Sequence, residues 1–222
     1  MDEHIIVVNK PAGLPVLPDG WEKDAPYLVK MLEEQFDKIF IVHRLDKTTS
    51  GVMVFARTAE AHRALSMQFE GHEADKVYHA IVEGNPNWNE KVAKFPLRAN
   101  VGKKHRTSVD DKRGKPSETR FRVLKRYQDA AVVEAKPMTG RTHQIRVHAY
   151  ALGHPLVGDI LYGASPTDLI ARPALHAHAL TITHPATNER MTFKVERPQD
   201  FVSALERLNI GNDNPSMVSF AR

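Results

Sequence analysis

Cysteine is absent from this 222-residue chain, so a disulfide framework, a thiolate metal site and a cysteine nucleophile are excluded together. No apolar run approaches the ~20 residues needed to cross a bilayer. Nor does the N-terminus carry a basic segment followed by an apolar stretch and a cleavage site, and a cytoplasmic protein without membrane association is the expectation. Internal repeats and low-complexity stretches are also missing, which argues against a solenoid or a disordered linker. What is present is ordinary for a globular chain: 41 % hydrophobic and 26 % charged residues, with a mean hydropathy of -0.42. Such a length accommodates one large domain or two small ones, and one is expected.

The net charge of +4 and pI near 9.2 say little by themselves. The distribution says more. Between Arg98 and Arg126 there are eleven lysines and arginines, Arg106 among them, against Asp110, Asp111 and Glu118. A solvated loop and strand edge accounts for such a run. So does a surface that tracks RNA phosphates and releases counterions.

Glycine and proline punctuate the chain at short intervals, as they do between strands. Ile5–Asn9, Val52–Ala56, Val77–Val82, Thr119–Tyr127, Ala130–Ala135, Leu175–Thr183 and Met191–Val195 read as strands. Gln128 and Asp129 sit where a tight turn joins two of them. Helical periodicity marks Ala25–Phe36, Ala59–Phe69, Thr142–Leu152 and Gln199–Leu208. Thr142 is the predicted cap of the third helix, with Gly153 and Pro155 as its stop. This pattern predicts an α/β chain of the α+β kind, with a mixed, largely antiparallel central sheet flanked by helices. Residues 209–222 read as a polar, frayed tail, and neither Asn100–Lys115 nor Ala164–Pro173 follows an assignable motif.

The most informative stretch is His43–Gly51, HRLDKTTSG, a polar loop between apolar runs that brings together a base, a cation, a carboxylate and small hydroxyl residues. On residue types alone, a lone aspartate in a polar loop such as Asp46 is more often a turn-former or helix cap than a catalytic group. Arg141 fits a surface or phosphate contact, Arg44 a buried salt bridge, and Tyr78, inside an apolar strand, the core. Twelve histidines invite a metal reading at His176 and His178, or at His143 and His148. No acidic third ligand stands at a familiar spacing, however, and no metal is expected. Ser50 beside Gly51 lacks the flanks of a nucleophile elbow.

The wording HRLDKTTSG resembles the catalytic motif of the RluA-type pseudouridine synthases, and five further blocks match that family in the same order. These are NKPAGLPV at Asn9–Val16, KVYHAIVEG at Lys76–Gly84, GRTHQIRVH at Gly140–His148, LGHPLVGD at Leu152–Asp159 and LHAHALTITHP at Leu175–Pro185. Together they cover roughly Glu3 to Phe201. The resemblance implies the pseudouridine-synthase fold over residues 1–208 and isomerisation of uridine in RNA without a cofactor. It implies Asp46 as nucleophile, Tyr78 stacked on the uracil and Arg141 paired with the aspartate. RNA contacts are expected from His43, Arg44, Thr49, Arg106 and His143, with Arg44 contacting or replacing the flipped nucleotide.

Many relatives carry an N-terminal S4 RNA-binding domain, and none is expected here, because Met1 leads almost directly into the first strand. That short architecture resembles the member acting on both a tRNA anticodon stem-loop and a loop of 23S ribosomal RNA. A monomer without an obligate protein partner is expected. The alternative from another class is a non-catalytic RNA-binding module, which has no need of a carboxylate among phosphates.

Overall fold

The computed structural model describes residues 1–18, 25–102 and 106–213. In chain order the elements are β1 (Ile5–Lys10), α1 (Leu28–Phe36), β2 (Phe40–Ile41), β3 (Ser50–Ala56), α2 (Ala59–Glu70), β4 (Asp75–Glu83), β5 (Glu90–Ala93), β6 (Leu97–Val101), β7 (Arg106–Val109), β8 (Thr119–Arg126), β9 (Ala130–Pro137), α3 (Gln144–Ala151), a 3-10 turn (Ile160–Tyr162), β10 (Leu175–Thr183), β11 (Arg190–Lys194) and α4 (Gln199–Asp213). Two compact units result, one of residues 1–76 and 177–196, the other of 77–176 and 197–222, of which the structure describes up to 213.

In the first unit the strand order is β1-β3-β10, with β2 also on β3 and β11 on β10. Every residue of β3 is buried, as expected of a central strand whose sequence, SGVMVFA, has no polar face after Ser50. Helix α2 starts at Thr58, whose side chain accepts the Ala61 N–H at 3.1 Å. Its Ala61 and Leu65 are buried in one cluster with Val52, Val54 and Ala56 of β3 and with Leu180 and Ile182 of β10. Period two in the strands and period three to four in the helix produce that face.

The second unit has the order β4-β9-β8-β5, antiparallel throughout, plus a separate β6–β7 hairpin. Alternation assigns the two faces of its sheet. Ala80 and Val82, opposite Val133 and Ala131, are buried with Ile145 and Ala149 of α3. Ile81, Ala130 and Val132 point the other way and are buried with Phe201, Ala204 and Leu208 of α4. This sheet is therefore covered by α3 on one side and α4 on the other.

Several boundaries differ from the sequence expectation. Asn100–Lys115, which follows no assignable motif, is not structureless, since most of its described part belongs to the hairpin, whose ladder involves polar residues that show no alternation. Thr142 is exposed and does not cap α3. His143 does, in the left-handed conformation with φ 53 and ψ 21. Helix α4 continues to Asp213 rather than ending at Leu208, and Lys125 Nζ reaches Asn209 Oδ1 at 2.6 Å in the added turn. The rest of the predicted tail, residues 214–222, lies outside the described residues, as do Lys103 and Lys104 of the basic run.

Candidate active site

The Asp46 loop begins where β2 stops. Phe40 and Ile41 pair with Ala56 and Phe55, and one residue further along β3 the N–H of Val54 is taken by a side chain. His43 Nε2 accepts it at 3.1 Å, and the ring stacks on Phe69 with centroids 4.5 Å apart. As an acceptor, that nitrogen carries no proton. Burial, with Lys76 adding repulsion, pushes the His43 pKa down to about 3, consistent with a neutral ring used to extend the sheet. Arg44 then projects into solvent while Leu45 turns inward, 5 % exposed.

Asp46 is half-buried at the first position of a tight turn, closed by the Thr49 N–H donating to Asp46 O at 3.0 Å. Thr49 is only 2 % exposed, so its contribution runs through the shape of that turn. The carbonyl of Lys47 accepts from the Gly13 N–H at 2.8 Å and from Lys10 Nζ at 3.2 Å. Lys10 is 0 % exposed, and its ammonium also donates to Pro11 O and Leu14 O, both at 2.8 Å. It faces Gly51 across the β1–β3 ladder. Gly51 has φ +125, and a Cβ there would lie 2.2 Å from Ala177 O, which explains why the motif ends in glycine. Lys10 was missed as a site residue. Its signal was a lysine closing an apolar strand directly before PAG.

Arg141 and His143 belong to the second unit, on the turn between β9 and α3. The Arg141 N–H donates to Gln144 Oε1 at 3.1 Å, and its Nε to Pro116 O at 3.4 Å. The His143 ring meets Tyr162 edge-on, with Nδ1 2.8 Å from the phenol oxygen. That oxygen accepts the Thr107 N–H at 2.9 Å, so its own proton is available to His143. Behind the turn, Arg146 and Asp159 form a buried two-pronged ion pair at 2.6 and 2.8 Å, and the guanidinium lies 5.0 Å over the Tyr162 ring.

Tyr78 of β4 is half-buried opposite Ala135 of β9 and packs against the cluster that contains Ile145 and Ala149 of α3. Tyr78 and α3 thus lie on one face of the second unit's sheet. Arg106 is exposed at the start of β7. Of the basic run, Arg98, Arg120 and Arg122 pair with Asp110, Glu118 and Glu134 respectively. Asp110 Oδ1 accepts the backbone N–H groups of Lys112 and Arg113, which presents both side chains outward. Among the described residues no group of three or more histidine, aspartate or glutamate side chains could hold a metal. None of their helices is long and apolar enough to cross a membrane.

A carboxylate on a locked turn, a guanidinium on a second turn and an aromatic side chain within a strand are parts that fit several reactions. The family decides among them. The model for RNA pseudouridylate synthase matches residues 4–151. The chain belongs to this family. It is 44 % identical over 203 residues to the dual-specificity RNA pseudouridine synthase RluA of Salmonella typhi, covering 90 % of this chain and 91 % of that one. It is 37 % identical over 230 residues to the ribosomal large subunit pseudouridine synthase D of Zymomonas mobilis, covering 96 % and 73 %. The solved structure of human RNA pseudouridylate synthase domain containing 4 superposes with a TM-score of 0.77 at 27 % identity over 94 % of this chain and 91 % of that one. The mixed, mostly antiparallel fold is thus that of the pseudouridine synthases, and the chain is an RNA-modifying isomerase rather than a passive RNA-binding module.

Proposed function

We propose that the enzyme isomerises specific uridines in both tRNA, at the anticodon stem-loop, and 23S ribosomal RNA, with Asp46 as nucleophile, as a cytoplasmic monomer whose catalytic portion spans residues 1–208. The observation that carries this reading is the position of Asp46, at the head of a turn pinned by Gly13, Lys10 and the Thr49 N–H within the matched family segment. The relatives named dual-specificity, aligned over nine-tenths of both chains, support two RNA substrates.

The reaction breaks the N1–C1′ bond, turns the detached uracil and rejoins it through C5. The C5 proton is lost and N1 gains one, so atoms and electrons balance without a redox or group-transfer cofactor. The Asp46 carboxylate begins this by adding to C6 or by acting at C1′. Arg141 pairs with that carboxylate and orients it once RNA is bound. Tyr78 clamps the free base, and its hydroxyl assists loss of the C5 proton. A stacked uridine must first be extruded, at a cost of roughly a few kcal/mol that is smaller in loops. Arg44, exposed two residues before the nucleophile, takes the place of the displaced base or stacks on its neighbours. Arg106, Lys112 and Arg113 contribute phosphate contacts, and His43, Thr49 and His143 shape the loops that meet the RNA.

Two measurements test this. Substituting Asp46→Asn should leave RNA affinity within a few-fold and lower turnover by roughly a thousand-fold or more; substantial residual turnover removes Asp46 as nucleophile. Pseudouridine mapping in total RNA from cells with and without the protein should show changed sites in both tRNA and ribosomal RNA. A change confined to one class of RNA withdraws the dual assignment.

A further inference from the structure

The carboxamide of Gln144, the first residue of α3, has every hydrogen-bonding site filled. Its oxygen accepts the Arg141 N–H at 3.1 Å and the Thr139 hydroxyl at 2.6 Å. Its nitrogen donates to Glu118 O at 2.9 Å and to Thr119 Oγ1 at 3.0 Å. The side chain is 4 % exposed. Two donors and two acceptors in this arrangement suit an amide and no other side chain of that size, because a glutamate would set a carboxylate oxygen against the Glu118 carbonyl. One planar group therefore ties the turn bearing Arg141 to the first residue of β8.

That tie matters because the Arg141 side chain itself is loosely held, Nε donating to Pro116 O at 3.4 Å. Where the guanidinium can reach is governed by the backbone beneath it, and that backbone is held by Gln144. The neighbouring helix start is of the same make. His143 occupies the left-handed region, which is strained for a non-glycine residue, and the turn that enters it is closed by the Gln144 N–H donating to Arg141 O at 3.1 Å.

We propose that Gln144 is a positioning residue of the pseudouridine synthase reaction, acting on turnover through the placement of Arg141. This rests on the reading of Arg141 as the partner of the nucleophile. A residue that merely stabilises the unit would move the melting temperature and leave the saturating rate alone. A positioning residue lowers the rate at saturation, and only while the side chain it positions is present.

The experiment follows pseudouridine formation under single-turnover conditions in bulk RNA from a strain lacking the protein, with excess full-length enzyme. Q144M should lower the saturating rate about 10- to 100-fold, with the half-saturating enzyme concentration changed less than about three-fold. The double variant R141M/Q144M should be no slower than R141M alone. T139V, which removes one of the two donors to Oε1, should show the same split at about 3- to 10-fold, and T139S, which keeps the hydroxyl, should restore the rate. A wild-type rate for Q144M, an effect confined to half-saturation or melting temperature, or costs that multiply on R141M would overturn the proposal. Should Q144M not fold, the T139V and T139S pair decides by the same criteria. Should R141M turn over at the wild-type rate, the proposal falls with its parent, and that single variant identifies the reading of Arg141 as the fault.

Discussion

The loop carrying Asp46 and the turn carrying Arg141 face one problem, the presentation of a polar side chain from irregular backbone, and they solve it with different chemistry. The first is organised around a cation: the buried Lys10 ammonium gathers the carbonyls of Pro11, Leu14 and Lys47. The second is organised around a neutral group, the Gln144 carboxamide, continued through Thr119 to His148. An ammonium has only donors to offer, so it draws together carbonyls from two segments. A carboxamide must match donors with acceptors, so it fixes orientation more narrowly but concentrates less charge. The contrast teaches that the ionic loop is costlier to disrupt and the neutral turn more demanding of the identity of its central residue.

The largest effect should come from removing the cation. Lys10→Met retains most of the side-chain volume and strips three inward-facing carbonyls of a charged donor, at about 1–3 kcal/mol for each group left unsatisfied. A destabilisation of about 3–5 kcal/mol in urea unfolding is expected, and a value under about 1 kcal/mol would abolish the distinction between the two loops.

Acid should act on both regions, through different rings. His43 is held low, at about 3, by burial and by Lys76, and His148, buried beside Thr119, Ser117 and the Phe95 carbonyl, is also held below its ordinary 6.5 by burial. Both therefore titrate lower in the folded chain than in the unfolded one. As pH falls below about 6.5 the unfolded chain takes up protons first, so stability drops by about 1.4 kcal/mol per pH unit for each ring. For His43 that window extends down to about pH 3; for His148 it closes at its lowered folded value. Above pH 6.5 neither ring changes stability. Urea titrations of H148Q and H43Q between pH 4.5 and 7.5 should each show a shallower slope than the parent, and an unchanged slope would remove that ring from the acid response.

The smallest effect is expected at the edge of the neutral turn. Tyr162→Phe deletes a hydroxyl that accepts the Thr107 N–H and faces His143 Nδ1, and should cost about 1–2 kcal/mol. A neutral result would show that the left-handed conformation of His143 persists without the phenol.

Much of this was legible beforehand for a physical reason. Strands such as Ser50–Ala56 and Ala130–Pro137 declare themselves because every residue that makes them apolar lies within the strand, and α2 because its period is local. The short strands β2, β5, β6 and β7 were not legible, since two apolar residues in β2 and the polar, non-alternating sequences of the others leave no period to read, and neither was the start of α3. Thr142 is a good cap by type. The helix begins one residue later because Tyr162 lies beside His143 and Gln144 closes the preceding turn.

By itself the sequence determined the chemistry on offer and its family: HRLDKTTSG and five ordered blocks identify a uridine isomerase that keeps one carboxylate among cations. Only the tertiary structure decided how the site is held. It spent His43 on a backbone N–H of β3, buried Lys10 beneath the Asp46 turn and gave Gln144 four partners around Arg141. Such assignments depend on which donors and acceptors meet once distant segments pack, and burial makes each unpaired group too costly to leave.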